Sequence, residues 1–139
     1  VGWFDDLLAG ACDVSSREVC WRDVSDGRVD WVDEIRMSVG GIPIHMACDG
    51  KAAYESRLTI DCERGSLEIE RLHRPELAYV KYSDGRMLEI NAPFEFDDFY
   101  GEIQHATQLI RAGKLESPVM PLAATQRCAH IIDAIRLKL

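Results

Sequence analysis

Hydrophobic positions along the chain repeat with two different periods, and the change of period divides it. Between about residues 18 and 90, apolar and polar residues alternate, the pattern of strands that bury one face. "EVCWRDV" is a short β-rich run, and "VDEIRMSV" sets Ile35, Met37 and Val39 on one face against Glu34, Arg36 and Ser38 on the other. Gly40-Gly41 supplies a two-residue hairpin turn. "IPIHMACD" then directs Ile42, Ile44, Met46 and Cys48 inward and Pro43, His45 and Ala47 outward. "SRLTIDC" continues with Leu58, Ile60 and Cys62 inward, and Glu63-Arg64-Gly65 turns the chain into "SLEIE". "LAYVKY" and "RMLEI" are joined by Ser83-Asp84-Gly85, another hairpin turn. Six or seven strands linked by short turns predict an antiparallel meander, because parallel neighbours need long crossovers.

After residue 97 the period lengthens. In "FYGEIQHATQLIRAGKLESPV", Phe99, Ile103, Ala106 and Ile110 share one helical face. Asp97 and Asp98 precede it, where carboxylates accept from free backbone N–H groups. Gly113 stands at the C′ position, and Pro118 blocks continuation. A second helix, from about 122 to 138, aligns Cys128, Ile131, Ile132, Ile135 and Leu139. Strands first and helices last predict an α+β two-layer sandwich, a mostly antiparallel sheet with the C-terminal helices on its apolar face. The helix from Phe99 to Ala112 is expected to lie on that face.

Composition narrows the function. At 139 residues the chain is expected to be a single domain. It begins inside an apolar pattern without Met, so it is expected to be part of a longer protein, with residues 1–14 the remnant of a preceding helix. A net charge of −8 with scattered basic residues argues against a nucleic-acid partner. No run of about 18 apolar residues encodes a membrane span. The five cysteines form no CxxC pair, and Cys48, Cys62 and Cys128 fall in apolar phase as small buried hydrophobes. A reducing cytoplasm is the expected setting and no metal site is expected.

The order of these motifs, "VDEIRMSVGGIPIHMACDG", "ESRLTIDCERGSLEIER", "DGRMLEI" and "FYGEIQHATQLIRAGKLESPVMPLAATQRCAHIIDAIR", resembles the C-terminal domain of the glucose–fructose oxidoreductase / inositol dehydrogenase / rhizopine-catabolism family. The likeness covers roughly residues 15 to 139, and its late-helix pattern is met by Tyr100, Ile103, Ile110, Arg111, Gly113 and Lys114. It implies a substrate-binding and assembly domain of an NAD(P)-dependent oxidoreductase acting on a sugar, polyol or related small molecule. A separate Rossmann domain would hold the cofactor and a catalytic Lys. This chain has neither a GxGxxG turn between strand and helix nor an E-K-P motif. No cofactor is therefore expected in this stretch; NAD or NADP is expected for its parent.

The resemblance also supplies candidate site residues. "VGWFDDLLAG" is similar to the tail of the family's catalytic helix, which makes Asp6 a catalytic candidate. Tyr100 takes a position whose hydroxyl lies near the substrate in the family, and His105 stands where the family has an apolar aromatic. His45, on the polar sheet face with Arg36 and Arg57 as expected neighbours, is a third candidate substrate contact because imidazole donates or accepts near neutrality. The open sheet face, with Arg36, His45, Arg57, Thr59 and Glu68, is the expected subunit contact of a homo-oligomer. The alternative is a binding or scaffolding module that keeps the fold without the chemistry.

Overall fold

The computed structural model describes residues 10–51 and 55–138. Within them, seven strands precede two helices: β1 (Cys12–Val24), β2 (Gly27–Val39), β3 (Ile42–Asp49), β4 (Arg57–Cys62), β5 (Gly65–Glu70), β6 (Leu77–Tyr82), β7 (Met87–Asn91), α1 (Tyr100–Arg111) and α2 (Leu122–Arg136). The architecture is the expected α+β arrangement, and every sequential pair within a sheet is antiparallel. The strands divide between two sheets, β1-β2-β3 and β4-β5-β6-β7. The described residues accordingly fall into two compact units, 10–51 with 113–138 and 55–112. Residues 12–14, expected in a helical remnant, open β1 instead.

In the first unit the alternation does what it predicts. Ile35, Met37 and Val39 of β2 and Val14 of β1 are buried, Val39 completely, at 0% exposure. From α2, Ile131, Ala134 and Ile135 pack onto them at i, i+3 and i+4, with Cys12 and Ile44 at the margin. Gly40 and Gly41 make the turn that sets Val39 opposite Ile42. The inward phase of β3 is less well covered: Ile44 is half-buried, but Ile42, Met46 and Cys48 are exposed. Cys62 of β4 is exposed too, so of the cysteines expected inside only Cys128 is half-buried. All five are free thiols. The physical reason is that alternation selects a face, while burial needs something laid over it.

β3 pairs with β2 only from Val32 onward, so β1 and β2 continue as a two-stranded ribbon to their turn. Arg17 braces its base. Its guanidinium donates to Asp33 from Nε (2.6 Å) and Nη2 (2.9 Å) and to Asp30 (2.8 Å). The Arg17 side chain is only 4% exposed. Its bond to Asp33 raises the Arg17 pKa, and the same bond holds the Asp33 carboxyl below the usual carboxylate range. Farther out, Arg28 covers Trp21 at 4.5 Å and Arg22 covers Trp31 at 4.3 Å, cation–π contacts that shield two rings.

In the second unit the ladder is equally regular. Gly65 permits the β5–β6 approach: its φ is +147°, and a Cβ there would lie 2.0 Å from the Lys81 carbonyl oxygen. The Asp97 carboxylate accepts from the amides of Phe99 (3.0 Å) and Tyr100 (2.8 Å) at the start of α1. Asp98, expected to share that task, pairs with Arg74 at 2.7 Å. Gly113 has the expected left-handed φ, +64°. The expected burial of α1 is not found. It has no buried residue, and Ile103 and Ile110 are 65% and 77% exposed. Its amphipathic spacing marks a face able to pack, and the neighbouring strands leave that face open.

Candidate functional site

Antiparallel register sets Arg36 directly opposite His45. Between them, Glu34 Oε1 accepts from Arg36 Nη2 at 2.5 Å and lies 3.0 Å from His45 Nε2. The Ser15 hydroxyl donates to the Arg36 carbonyl at 2.8 Å, tying β1 to the same place. Period-two alternation thus assembles an exposed charged triad on the polar face of the three-stranded sheet. It can hydrogen-bond hydroxyl or carboxylate groups, and Arg36 and His45 share one carboxylate. Arg57, expected beside His45, belongs to the second unit and pairs with Glu55 at 2.6 Å. Glu68 pairs with Lys81 at 2.6 Å.

Tyr100 is half-buried, with its ring edge on Phe96 at 4.6 Å between centroids. Its hydroxyl is 3.5 Å from Gln104 Nε2, one turn along α1. His105 is half-buried on the same helix. At about 100° per residue the two project about 140° apart, so they do not converge on one ligand. Asp6 lies outside the described residues. Among the described residues, no group of three or more His, Cys, Asp or Glu side chains could hold a metal ion. No described helix is long and apolar enough to cross a membrane.

Two concavities in the second unit went unrecognised in the sequence. One, of about 540 Å³, is lined by Ser56, Arg57, Glu68, Arg71 and His73 among others. Another, of about 430 Å³, is lined by Arg71, His73, Arg74, Phe94 and Phe96 with Glu76, Asp97 and Asp98. The basic cluster in "RLHRP", residues 71 to 75, is the signal that could have pointed to them. It reads as an ordinary loop because the aromatic residues completing the wall lie about twenty residues later.

No family model matches the chain. The scyllo-inositol 2-dehydrogenase (NADP(+)) IolU of Bacillus subtilis (strain 168) is 31% identical over 77 residues, 55% of this chain and 24% of that enzyme. The fold matches KijD10, a 3-ketoreductase from Actinomadura kijaniata, solved in complex with TDP-benzene and NADP, in its K102E mutant and in an open conformation. Both matches have a TM-score of 0.70 and 18% identity, and cover 91% of this chain and 40% of the ketoreductase. The chain therefore spans well under half the length of the relatives it matches.

Proposed function

With a sequence relative and a shared fold both supporting the resemblance to the C-terminal domain of the glucose–fructose oxidoreductase / inositol dehydrogenase / rhizopine-catabolism family, we propose that this chain is the substrate-binding and assembly domain of an NAD(P)-dependent oxidoreductase. The substrate class is a sugar, polyol or related small molecule, and the dinucleotide belongs to a separate Rossmann domain. The observation that carries this reading is the 31% identity to an NADP-dependent inositol dehydrogenase. The fold it shares with an NADP-bound ketoreductase adds to it.

In this reading the exposed triad of Glu34, Arg36 and His45 serves either the substrate or a second subunit, Tyr100 and His105 are candidate substrate contacts, and Asp6 is the catalytic candidate. The test has two steps. The encoding gene upstream of Val1 is read for a strand, a Gly-rich turn, a helix and a Lys, since backbone N–H groups at a helix N-terminus are what hold a pyrophosphate. The full protein is then assayed by nicotinamide absorbance against a panel of polyols and sugars with NAD and NADP. Turnover with one member of the panel is expected. A complete gene without the Gly-rich turn, or a full protein inert across the panel, would favour the scaffolding alternative. The assembly role is checked by sedimentation equilibrium: a dimer is expected, weakened by Arg36→Glu through like-charge repulsion.

A further inference from the structure

The strands at the margins of the two sheets are β1, β3, β4 and β7, and three of them are protected against pairing. A marginal strand offers unpaired N–H and C=O groups to any extended chain, and bulges, Pro or charge blunt it. β1 has two register shifts, at Val14/Ser16 and Cys20/Trp21. β3 carries Pro43, which has no N–H to offer. β7 is five residues long with Glu89 at its centre, so two copies paired about that centre would set like charges together. β4 has neither bulge nor Pro, and among the described residues it is paired on one side only, with β5.

The hairpin fixes which groups of β4 face outward. Cys62 and Gly65 flank a two-residue turn, and along an antiparallel pair the residues that exchange backbone bonds alternate with those that do not. Leu58, Ile60 and Cys62 therefore bond to β5. The phase agrees at the far end, where the Ser56 carbonyl accepts from the Leu72 amide (3.3 Å). The N–H and C=O groups of Arg57, Thr59 and Asp61 point the other way, along the open edge. Read in both directions, "RLTID" is complementary to itself. Two copies laid antiparallel about Thr59 set Arg57 opposite the partner's Asp61, Leu58 opposite the partner's Ile60, and Thr59 opposite its own counterpart. The outward groups then meet in register, and each of these Arg57–Asp61 and Thr59–Thr59 pairs exchanges both backbone bonds.

We propose that β4 is the docking edge for a second copy of this chain, joining two four-stranded sheets into one across a twofold axis at Thr59. Arg57 holds Glu55 at 2.6 Å, but the two side chains are 62% and 84% exposed, a pair of the kind that contributes little. The Asp61 side chain has no hydrogen bond or ion pair among the described residues, so the partner's Arg57 supplies its first. Leu58 and Ile60, half-buried in one copy, cover each other at the join. An edge of this length buries less than a standard interface, so the association is weak and set by concentration. This contact runs along a strand edge of the second unit, whereas the one tested by Arg36→Glu lies on the face of the other sheet. It does not depend on the oxidoreductase reading.

Charge exchange in the full protein, followed by sedimentation equilibrium, tests the register. Arg57→Asp and Asp61→Arg each set like charges at both ends of the join and are expected to weaken self-association by about tenfold or more. Mixed together, the two variants present opposite charges to each other and are expected to associate at least as tightly as wild type. The double variant Arg57→Asp/Asp61→Arg is expected to recover self-association. Thr59→Pro removes an outward N–H and leaves the bonds to β5 in place, so it is expected to abolish the contact. Hydrogen exchange gives a readout that a face contact would not: the amides of 57, 59 and 61 should slow as protein concentration rises, while those of 58 and 60 stay unchanged. Association that the single charge variants leave intact, no recovery on mixing them, or exchange at 57, 59 and 61 that does not follow concentration would each overturn the proposal.

Discussion

The three-stranded and four-stranded sheets are built from the same alternation and end in different states. In β2, Ile35, Met37 and Val39 alternate with Glu34, Arg36 and Ser38, and the apolar set is sealed under α2. In β5, Leu67 and Ile69 alternate with Ser66 and Glu68 just as cleanly, yet they are only half-buried. β7 leaves Met87, Leu88 and Ile90 at 63%, 49% and 44% exposure. The strands do not differ in pattern or register; they differ in cover. A period-two sequence decides which side chains share a face, and the stability gained from that face depends on a second layer that the strand itself does not encode.

The largest expected effect follows from that difference. Truncating Met37 to Ala, or Ile35 to Ala, empties space inside a closed core and should cost about 2–5 kcal/mol. The equivalent Ile69→Ala change removes a half-covered side chain and should cost well under half of that. Urea denaturation of the two variants measures the contrast. Equal losses would mean that the second sheet has a cover of its own in solution, and the comparison would fail.

Next comes the brace at the base of the ribbon. Arg17→Met leaves Asp33 half-buried without its donor, and should cost about 2 kcal/mol, between the values for exposed and for fully buried pairs. It should also change the pH profile. The Asp33 carboxyl is held below its ordinary value chiefly by the bond from Arg17. Its contribution is therefore present above the unfolded carboxylate pKa of about 4 and is lost as pH falls through the lower folded value. The raised pKa of Arg17 leaves its own charge, and so its part of the pair, intact across the ordinary pH range. Stability of the wild type should drop on acidification below about pH 4, and Arg17→Met should lack that component of the drop.

How much of this was legible in the sequence varies with the physical range of each feature. Turns are local, so Gly40-Gly41, the 63–65 turn and Ser83-Asp84-Gly85 were readable together with the strands they join. Gly113 was readable for the same reason. The partition into two sheets was not, because it depends on β3 and β4 failing to pair, and no residue pattern in either strand announces that. Neither was the exposure of α1, since Ile103 and Ile110 have the spacing of a buried stripe. At the candidate sites, Arg36 opposite His45 follows from register, and the intervening Glu34 could have been found by the same count. The concavities of the second unit were less legible, because the basic residues between 71 and 74 and the rings of Phe94 and Phe96 lie about twenty residues apart along the chain.

The contrast between covered and uncovered elements sharpens at the end of α1. Gly113→Val forces a β-branched residue to φ +64° and should cost about 1–2 kcal/mol. No Cβ clash would add to this, since nothing lies within 4 Å of that position. An unchanged midpoint in chemical denaturation would show that the chain leaves the helix by another conformation.

The smallest effect is expected at the other end, and its form matters more than its size. α2 is fixed by Ile131, Ala134 and Ile135 against the core, so its ends are held by packing. α1 buries no residue, and its first turn is anchored by the two amide bonds accepted by Asp97 together with the edge contact of Tyr100 on Phe96. Asp97→Ala removes both amide bonds, with an expected cost of about 1 kcal/mol. In a helix without a buried face, that loss should appear as local opening of the first turn, with little change in the global midpoint. Hydrogen exchange reads the distinction: amides at 103–105 should exchange faster in Asp97→Ala, while those of β2 under α2 stay as in wild type. Unchanged exchange across 103–105 would mean that α1 is held by packing after all, and the line drawn between the two helices would have to be withdrawn.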